Sequence, residues 1–242
     1  MWYAAMWGAI SGSAVFLGAL AALYLPVKKR IIGDIMAFGT GILIGAASYE
    51  LLEDSIRNGG LQATVTGFTL GAVIFTILNF FVSKKGADQR KRSIQNTKGA
   101  GIAIFIGTVM DAIPESIMVG ASLLEKQSVS WLLVAAIFLS NIPEGLSSTV
   151  GLKNSGYKKR KIYLLWIAVL VVSSFSAWGG YFFLSNAPEY LLAGIAAFAG
   201  GGIIAMITST MMPEAYEDSG TVTGLIAALG LLVSLIMDHF ST

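Results

Sequence analysis

The chain has 242 residues, of which 55% are hydrophobic and only 12% are charged, and its formal net charge is +2. A typical soluble domain is about 25% charged, so this composition argues against a soluble protein and indicates a polytopic membrane protein. The chain contains no cysteine, which excludes disulfides and thiolate metal sites.

Eight apolar segments are long enough to cross a bilayer as helices, for which about 20 residues are needed. The first begins near the N-terminus without a basic leader, so we interpret it as a membrane helix and not as a cleaved signal. No stretch fits a soluble domain, so residues 1–242 are predicted to form one all-α transmembrane domain. The segments are 4–25, 33–53, 63–83, 100–124, 128–152, 161–184, 189–214 and 220–239.

The basic residues predict how the chain is oriented. Fourteen of the 16 Lys and Arg residues follow the first, third and fifth segments, and the largest group lies in the polar loop 84–99. Because basic loops stay in the cytoplasm, this distribution predicts a cell-membrane protein with both termini outside. A basic loop that binds nucleic acid or anionic lipid is the alternative. The orienting role is favoured, and no nucleic-acid partner is expected.

A short internal repeat occurs at an offset of 161 residues. Gly41 to Leu43 matches Gly202 to Ile204, and Leu52-Glu53 matches Pro213-Glu214. The second segment runs outward and the seventh inward, so the two halves would be inverted copies, as in many transporters. Chance similarity between short glycine-rich stretches is the alternative.

The fourth segment carries two carboxylates within an otherwise apolar span. Asp111 and Glu115 are four residues apart and therefore share a helix face. Pro114 lacks an amide proton, which frees the carbonyl of Met110 and predicts a kink. A charged side chain at the bilayer centre costs roughly 2.5–3.5 kcal/mol on insertion scales, so such residues usually serve a function.

The fifth segment repeats this pattern. Asn141 and Glu144 are three residues apart on one face, and Pro143 frees the carbonyl of Leu139. Hydroxyl groups lie nearby on the same segment, at Ser140, Ser147 and Ser148.

A short loop between these segments predicts antiparallel neighbours that present Asp111, Glu115, Glu144 and the Asn141 amide around one point. Oxygen donors suit Mg²⁺, Mn²⁺ and Ca²⁺, and carboxylates also bind Zn²⁺ and Fe²⁺. Metal binding displaces protons, so transport of the metal should depend on pH. The structural alternative is that the prolines only shape packing and that each Glu hydrogen-bonds a neighbouring helix. The matched pair of motifs favours a metal site.

Three further carboxylates lie near predicted helix ends, at Glu50, Glu53 and Glu214. They either line a vestibule for the cation or are solvated helix caps. The sequence leaves both interpretations open.

The eight spans, the basic third loop and the paired Pro-Glu motifs resemble the ZIP (Zrt/Irt-like) family of divalent-metal transporters. The segments GILIGAASYELLEDS and STMMPEA also resemble that family's second and seventh helices, so the resemblance covers nearly the whole chain. It implies an eight-helix bundle in a 3+2+3 arrangement with an inverted repeat, a homodimer, transport into the cytoplasm and no prosthetic group.

The resemblance also implies the metal ligands. Asp111 stands where the family has a His, Glu115 and Glu144 match the family's Glu residues, and Asn141 is the expected fourth ligand, with Ser140 beside it as a possible secondary one. Zinc is the family's usual substrate, and manganese or iron(II) is the alternative because no imidazole reaches the site.

Four further positions lack ligands that some members of the family carry. Leu43 replaces a Met ligand of some members, Ser176 a helix-six Glu, and Ser209 and Thr210 an acidic pair on helix seven. A single oxygen-rich site is therefore expected instead of a two-metal centre.

Two rival functions follow from the same residues. An intramembrane enzyme is not expected, because the chain has no His-Glu-x-x-His motif and its one His, His239, lies near the C-terminus. A protein of the same family that senses metal or acts as a scaffold, without transporting it, is the second rival.

Overall fold

The computed structural model describes residues 2–82, 100–125 and 129–241. Every element in these ranges is helical, which confirms the predicted all-α class. The predicted basic loop 84–99 lies outside the described residues. The helices are α1 (Trp2–Tyr24), α2 (Lys29–Ala46), α3 (Asp54–Val82), α4 (Ala100–Glu125), α5 (Trp131–Asn154), α6 (Lys159–Leu184), α7 (Glu189–Met206), α8 (Met212–Ser219) and α9 (Thr223–Ser241).

Six helical stretches in the described part of the chain are long and apolar enough to cross a membrane. Two of these, Lys29–Val82 and Glu189–Phe240, contain 54 and 52 residues. A straight helix of that length would measure about 80 Å, against about 30 Å for the hydrocarbon core. Each long stretch contains two of the predicted segments, which are joined by helical turns instead of a coil. The count of continuous helices is therefore lower than the predicted count of spans.

Both long stretches contain a wider π-helical turn followed by a break. The π turns are Ala47–Glu53 and Ile207–Met211. The second precedes Pro213, which has no amide proton and whose ring would crowd the carbonyl four residues earlier, so a widened turn relieves that contact. The breaks lie at Gly60 and Gly220, both at positive φ.

Helix α1 packs against α4, α5 and α6, and α4 packs against α6. Glycines allow α1 and α5 to approach closely, because a Cβ on Gly18 would lie 2.1 Å from the Ile142 carbonyl oxygen and one on Gly145 equally close to that of Val15. The other large contacts join α3 to α7 and α2 to α8 and α9. Helix α2 also packs against α5, and it thereby connects α8 and α9 to the group formed by α1, α4, α5 and α6.

Helices α2 and α9 form a reciprocal glycine contact, in which a glycine of each helix packs directly against the backbone of the other. A Cβ on Gly41 would lie 1.9 Å from the carbonyl oxygen of Ala227, and one on Gly230 would lie 2.1 Å from that of Phe38. Side chains at these two positions are therefore excluded.

The contact between α7 and α3 has the same form. A Cβ on Gly201 would lie 2.0 Å from the carbonyl oxygen of Phe68, and one on Gly71 would lie 1.9 Å from that of Phe198. Gly201 lies 160 residues after Gly41, and Gly230 lies 159 residues after Gly71. The two contacts are therefore formed by positions that correspond at a nearly constant separation along the chain.

One end of the bundle holds all the basic residues that the structure describes except Arg57, which lies next to Asn58 at the other end. The Tyr163 hydroxyl donates to that of Tyr24 at 2.6 Å, and the Lys159 ammonium lies 4.9 Å from the centre of the Tyr24 ring. Ser219 Oγ donates to the Arg30 carbonyl at 3.1 Å. We call this the basic end.

At the opposite end, the start of α1 contacts the start of α5, and α3 contacts α7. The rings of Trp7 and Trp131 meet edge to face with centroids 4.9 Å apart. Gly59 packs so closely on α7 that a Cβ would lie 2.4 Å from that of Ala193. Trp7 lies about 25 Å along α1 from its other terminus, since a helix rises 1.5 Å per residue.

Candidate metal-binding site

Helix α4 places Asp111 and Glu115 on one buried face. Their side chains are 3% and 2% exposed, and the helix remains continuous through Pro114. Residues four apart lie one turn above each other, so the two carboxylates are adjacent on this face. The sequence predicted this pair, and the structure places both of its members in the interior.

The two carboxylates line a cavity of about 310 Å³ between α3, α4 and α7. Apolar residues and Gly71 make up the rest of its wall, including Phe75 of α3 and Met206 of α7. The wall of this cavity is therefore almost entirely apolar, and the two carboxylates are its charged groups. An ion there would interact strongly with the carboxylates and weakly with everything else.

Helix α5 buries the other predicted ligands. Asn141 and Glu144 are 4% and 2% exposed. Ser140 is also buried, but its hydroxyl donates to the Ile137 carbonyl of its own helix at 3.0 Å. The tight contact between α2 and α5 occurs here, because a Cβ on Gly39 would lie 2.9 Å from the Ser140 Cα.

The structure does not bring all the predicted ligands to one cavity. Asn141 and Glu144 are not among the residues that line the cavity beside Asp111 and Glu115. In the described part of the chain, no group of three or more Asp, Glu, His or Cys side chains is arranged to hold a metal ion. The convergence of three carboxylates on one point therefore stays a prediction.

Buried hydroxyls extend the two polar faces. Thr108 precedes Asp111 by three residues, and Ser148 follows Glu144 by four, so each shares a face with its carboxylate. Their hydroxyls, and that of Thr40 on α2, are buried and make no hydrogen bond to the described residues. Thr108 and Thr40 were not among the predicted site residues, although the three-residue spacing from Thr108 to Asp111 places both on one helix face.

The three possible vestibule carboxylates differ in environment. Glu50 is 8% and Glu214 is 9% exposed, whereas Glu53 is exposed on the surface. Glu214 accepts a hydrogen bond from Ser147 of α5, so it is not a solvated helix cap. Glu53 has the exposed environment that is expected of a solvated helix cap.

The positions that depart from the family pattern carry groups that do not replace the missing ligands. Leu43 is buried and apolar. Ser209 and Thr210 donate to carbonyls of their own helix, those of Ala205 and Met206, each at 2.6 Å.

The chain matches no protein-family model, and it has no significant match among curated proteins.

Proposed function

We propose that the protein is a membrane transporter for a divalent transition-metal cation, which it moves into the cytoplasm. The observation that carries this proposal is the burial of Asp111 and Glu115 beside a cavity within apolar helices. Carboxylates in the interior of a membrane protein are costly and generally mark ion pathways. The resemblance to the ZIP family points to the same function.

We propose that each of the long stretches crosses the membrane twice, which gives eight spans with both termini outside. Two observations support this topology. The basic residues around Arg30 and Lys159 lie at one end, as basic cytoplasmic loops require. Gly59 and Ala193 pack together at the opposite end, where the breaks between spans two and three and spans six and seven would lie.

An inverted repeat in a 3+2+3 arrangement is the corresponding proposal for the fold. The reciprocal glycine contacts of α2 with α9 and of α7 with α3 support it, because they relate the two halves at nearly constant offset. Gly41 and Gly201 occupy equivalent positions in these contacts. The structural offset is thus 160 residues here, one less than the 161 that the short sequence match gives.

The proposed ligands are Asp111, Glu115 and Glu144, with Asn141 as a fourth. All four offer oxygen donors, which suit manganese or iron(II) and also bind zinc. His239 is exposed near the end of α9, away from these helices' buried faces. Zinc, the substrate implied by the ZIP resemblance, therefore competes with manganese and iron(II) as the preferred ion.

For the mechanism, we propose alternating access between two groups of helices. Helices α1, α4, α5 and α6 pack together, and α3 packs on α7. The cavity separates α4 from α3 and α7, so movement of the first group relative to the second would open or close it. The lipid bilayer is the environment of both groups, and a homodimer is expected from the resemblance.

Uptake of Mn²⁺ and Zn²⁺ by proteoliposomes tests the proposal. The double variant Glu115→Ala/Glu144→Ala should lose uptake while it still inserts in the membrane. The control Glu53→Ala removes an exposed carboxylate and should retain normal uptake. If the double variant accumulates metal at the wild-type rate, the assignment of the site is wrong.

A metal sensor or scaffold with the same architecture is the second candidate. The observation that favours it is the absence of a carboxylate, imidazole or thioether at four positions where members of the ZIP family carry metal ligands, namely Leu43, Ser176, Ser209 and Thr210. Such a protein would bind metal in equilibrium dialysis and give no flux in the proteoliposome assay.

A further inference from the structure

A side-chain hydrogen bond connects α5 to α8 close to the proposed site. Ser147 Oγ on α5 donates to Glu214 Oε1 on α8. A hydroxyl within a membrane helix usually donates to a carbonyl three or four residues earlier on the same helix. Ser48 and Ser122 do so here, at 2.8 and 2.9 Å. Ser147 instead bonds a carboxylate of another helix.

Glu214 is the buried acidic residue of α8. It is 9% exposed, whereas Glu217, three residues later on the same short helix, is exposed. α8 ends at the basic end, where Ser219 bonds the Arg30 carbonyl. Glu214 therefore lies between the bundle interior and the end that the proposed topology places in the cytoplasm.

Because of the direction in which α5 runs, Ser147 and its partner Glu214 lie on the side of the proposed ligand Glu144 that faces the basic end. Lys153 Nζ donates to the Ala22 carbonyl near the end of α1 at 3.2 Å, so α5 runs toward the basic end. Ser147 follows Glu144 by three residues, a rise of about 4.5 Å along the same face.

The polar face of α5 continues beyond Glu144 toward the basic end. Ser148 is fully buried four residues after Glu144, and its hydroxyl makes no hydrogen bond to the described residues. In the other direction, beyond Asn141 and Ser140, the helix buries the apolar side chains of Leu132, Leu133 and Ile137. A buried hydroxyl without a partner is destabilising unless a ligand or water supplies one. Ser148 is thus an independent sign that a polar species occupies this part of the interior.

We propose that Glu214, together with Ser147 and Ser148, forms a second cation station, which receives the ion from Glu144 and releases it toward the basic end. This inference rests on the proposed transport function and adds its exit step. One carboxylate flanked by hydroxyls offers fewer strong ligands than the Asp111, Glu115 and Glu144 set. Weak binding suits a station that an ion must leave, since conduction requires each site to release its ion readily.

The test compares initial rates of Mn²⁺ uptake by proteoliposomes over a range of metal concentrations. Glu214→Gln keeps the size of the side chain and removes its charge. It should lower the maximal rate by about tenfold and leave the half-saturating concentration and the equilibrium binding of Mn²⁺ nearly unchanged, because the first site is intact. Glu217→Gln is the matched control on the same helix and should transport normally.

Two further variants separate an exit role from a structural one. Glu214→Asp retains the charge and should recover part of the lost rate. Ser147→Ala should lower the maximal rate less than Glu214→Gln does, and it decides the question if Glu214→Gln does not fold. A purely structural contact would instead lower the thermal unfolding temperature of both variants without changing the transport rate per folded protein.

The outcomes distinguish this inference from the proposed function. If the wild-type protein gives no flux, the transport function itself fails. If the wild type transports and both Glu214→Gln and Ser147→Ala keep its maximal rate, only the second station is overturned. A rise in the half-saturating concentration at unchanged maximal rate also overturns it, because Glu214 would then take part in capture and not in release.

Discussion

Gly60 and Gly220 lie 160 residues apart and have nearly the same positive φ, 76° and 71°. Each is followed by a threonine that donates to its carbonyl, Thr64 at 3.0 Å and Thr223 at 2.8 Å. The two long helical stretches therefore break at corresponding points, and at each a threonine bonds the glycine carbonyl, from four residues on at Gly60 and from three residues on at Gly220. Both breaks adopt a conformation that is essentially restricted to glycine.

Alanine at either break should destabilise the protein. A Cβ at this φ and ψ costs on the order of 1–3 kcal/mol, although no atom lies within 4 Å of it at Gly60 or Gly220. We expect Gly60→Ala and Gly220→Ala each to lower the thermal unfolding temperature in detergent. Gly224→Ala is the control, because that position is helical and equally open, and it should be neutral or slightly stabilising. Equal unfolding temperatures for all three variants would show that the breaks are not strained.

Much of the fold was accessible from sequence because length and apolarity alone decide where a membrane helix can form. The predicted segments 100–124 and 161–184 nearly coincide with α4 and α6. The turn expected between 53 and 63 contains the break at Gly60. The burial of Asp111, Glu115 and Glu144 also agrees with the expectation that charged residues in a span face the interior.

Other features depend on packing between helices that are distant in sequence. The π turn Ala47–Glu53 contains no proline, and nothing in its sequence indicates a widened helix. The cavity beside Asp111 arises because α3 packs along α7 and leaves space next to α4. The predicted neighbours α4 and α5 do contact each other, but the cavity lies on the side of α4 that faces α3 and α7. The environment of Glu214 was undecided because its partner, Ser147, lies 67 residues away.

Two adjacent glycines of α7 should respond oppositely to substitution. A Cβ on Gly201 would lie 2.0 Å from the Phe68 carbonyl oxygen, whereas the nearest atom to one on Gly202 is the Gly71 carbonyl oxygen at 3.9 Å. Gly201→Ala must push α3 and α7 apart, which typically costs about 1–3 kcal/mol. Gly202→Ala should be tolerated and should favour the helix, since Ala is a better helix former than Gly.

The measurement for this pair is the thermal unfolding temperature of each variant in the same detergent. Gly201→Ala should unfold at a clearly lower temperature than the wild type, and Gly202→Ala should not. If the two variants unfold alike, α3 and α7 are not in the close contact described above.

The proposed eight-span topology is testable with single cysteines, because the chain has none of its own. Asn58 and Asn186 are exposed beyond the spans at the opposite end, and Lys28 and Lys158 are exposed at the basic end. In intact cells, a membrane-impermeant maleimide should label Asn58→Cys and Asn186→Cys. It should label Lys28→Cys and Lys158→Cys only after the membrane is opened.

The same experiment distinguishes eight spans from six. If the stretch Lys29–Val82 crossed the membrane once, Asn58 would lie near its middle, within the bilayer, and would not react before or after permeabilisation. Labelling of Lys158→Cys in intact cells would reverse the predicted orientation. Protein amounts should be matched by immunoblot, so that low labelling is not mistaken for protection.

Asp111 should determine which metal is preferred, because replacing its carboxylate by a nitrogen ligand would change the chemistry of the site. Imidazole binds zinc better than it binds manganese, and carboxylate oxygen favours manganese by comparison. Asp111→His should therefore raise the potency of zinc relative to manganese in competition for uptake, by on the order of tenfold, or about 1.4 kcal/mol. Glu53→His introduces the same imidazole on an exposed carboxylate position and should not change the ratio. A change of the same size in both variants would mean that the imidazole acts at the protein surface, and an unchanged ratio in both would place Asp111 outside the ion's coordination sphere.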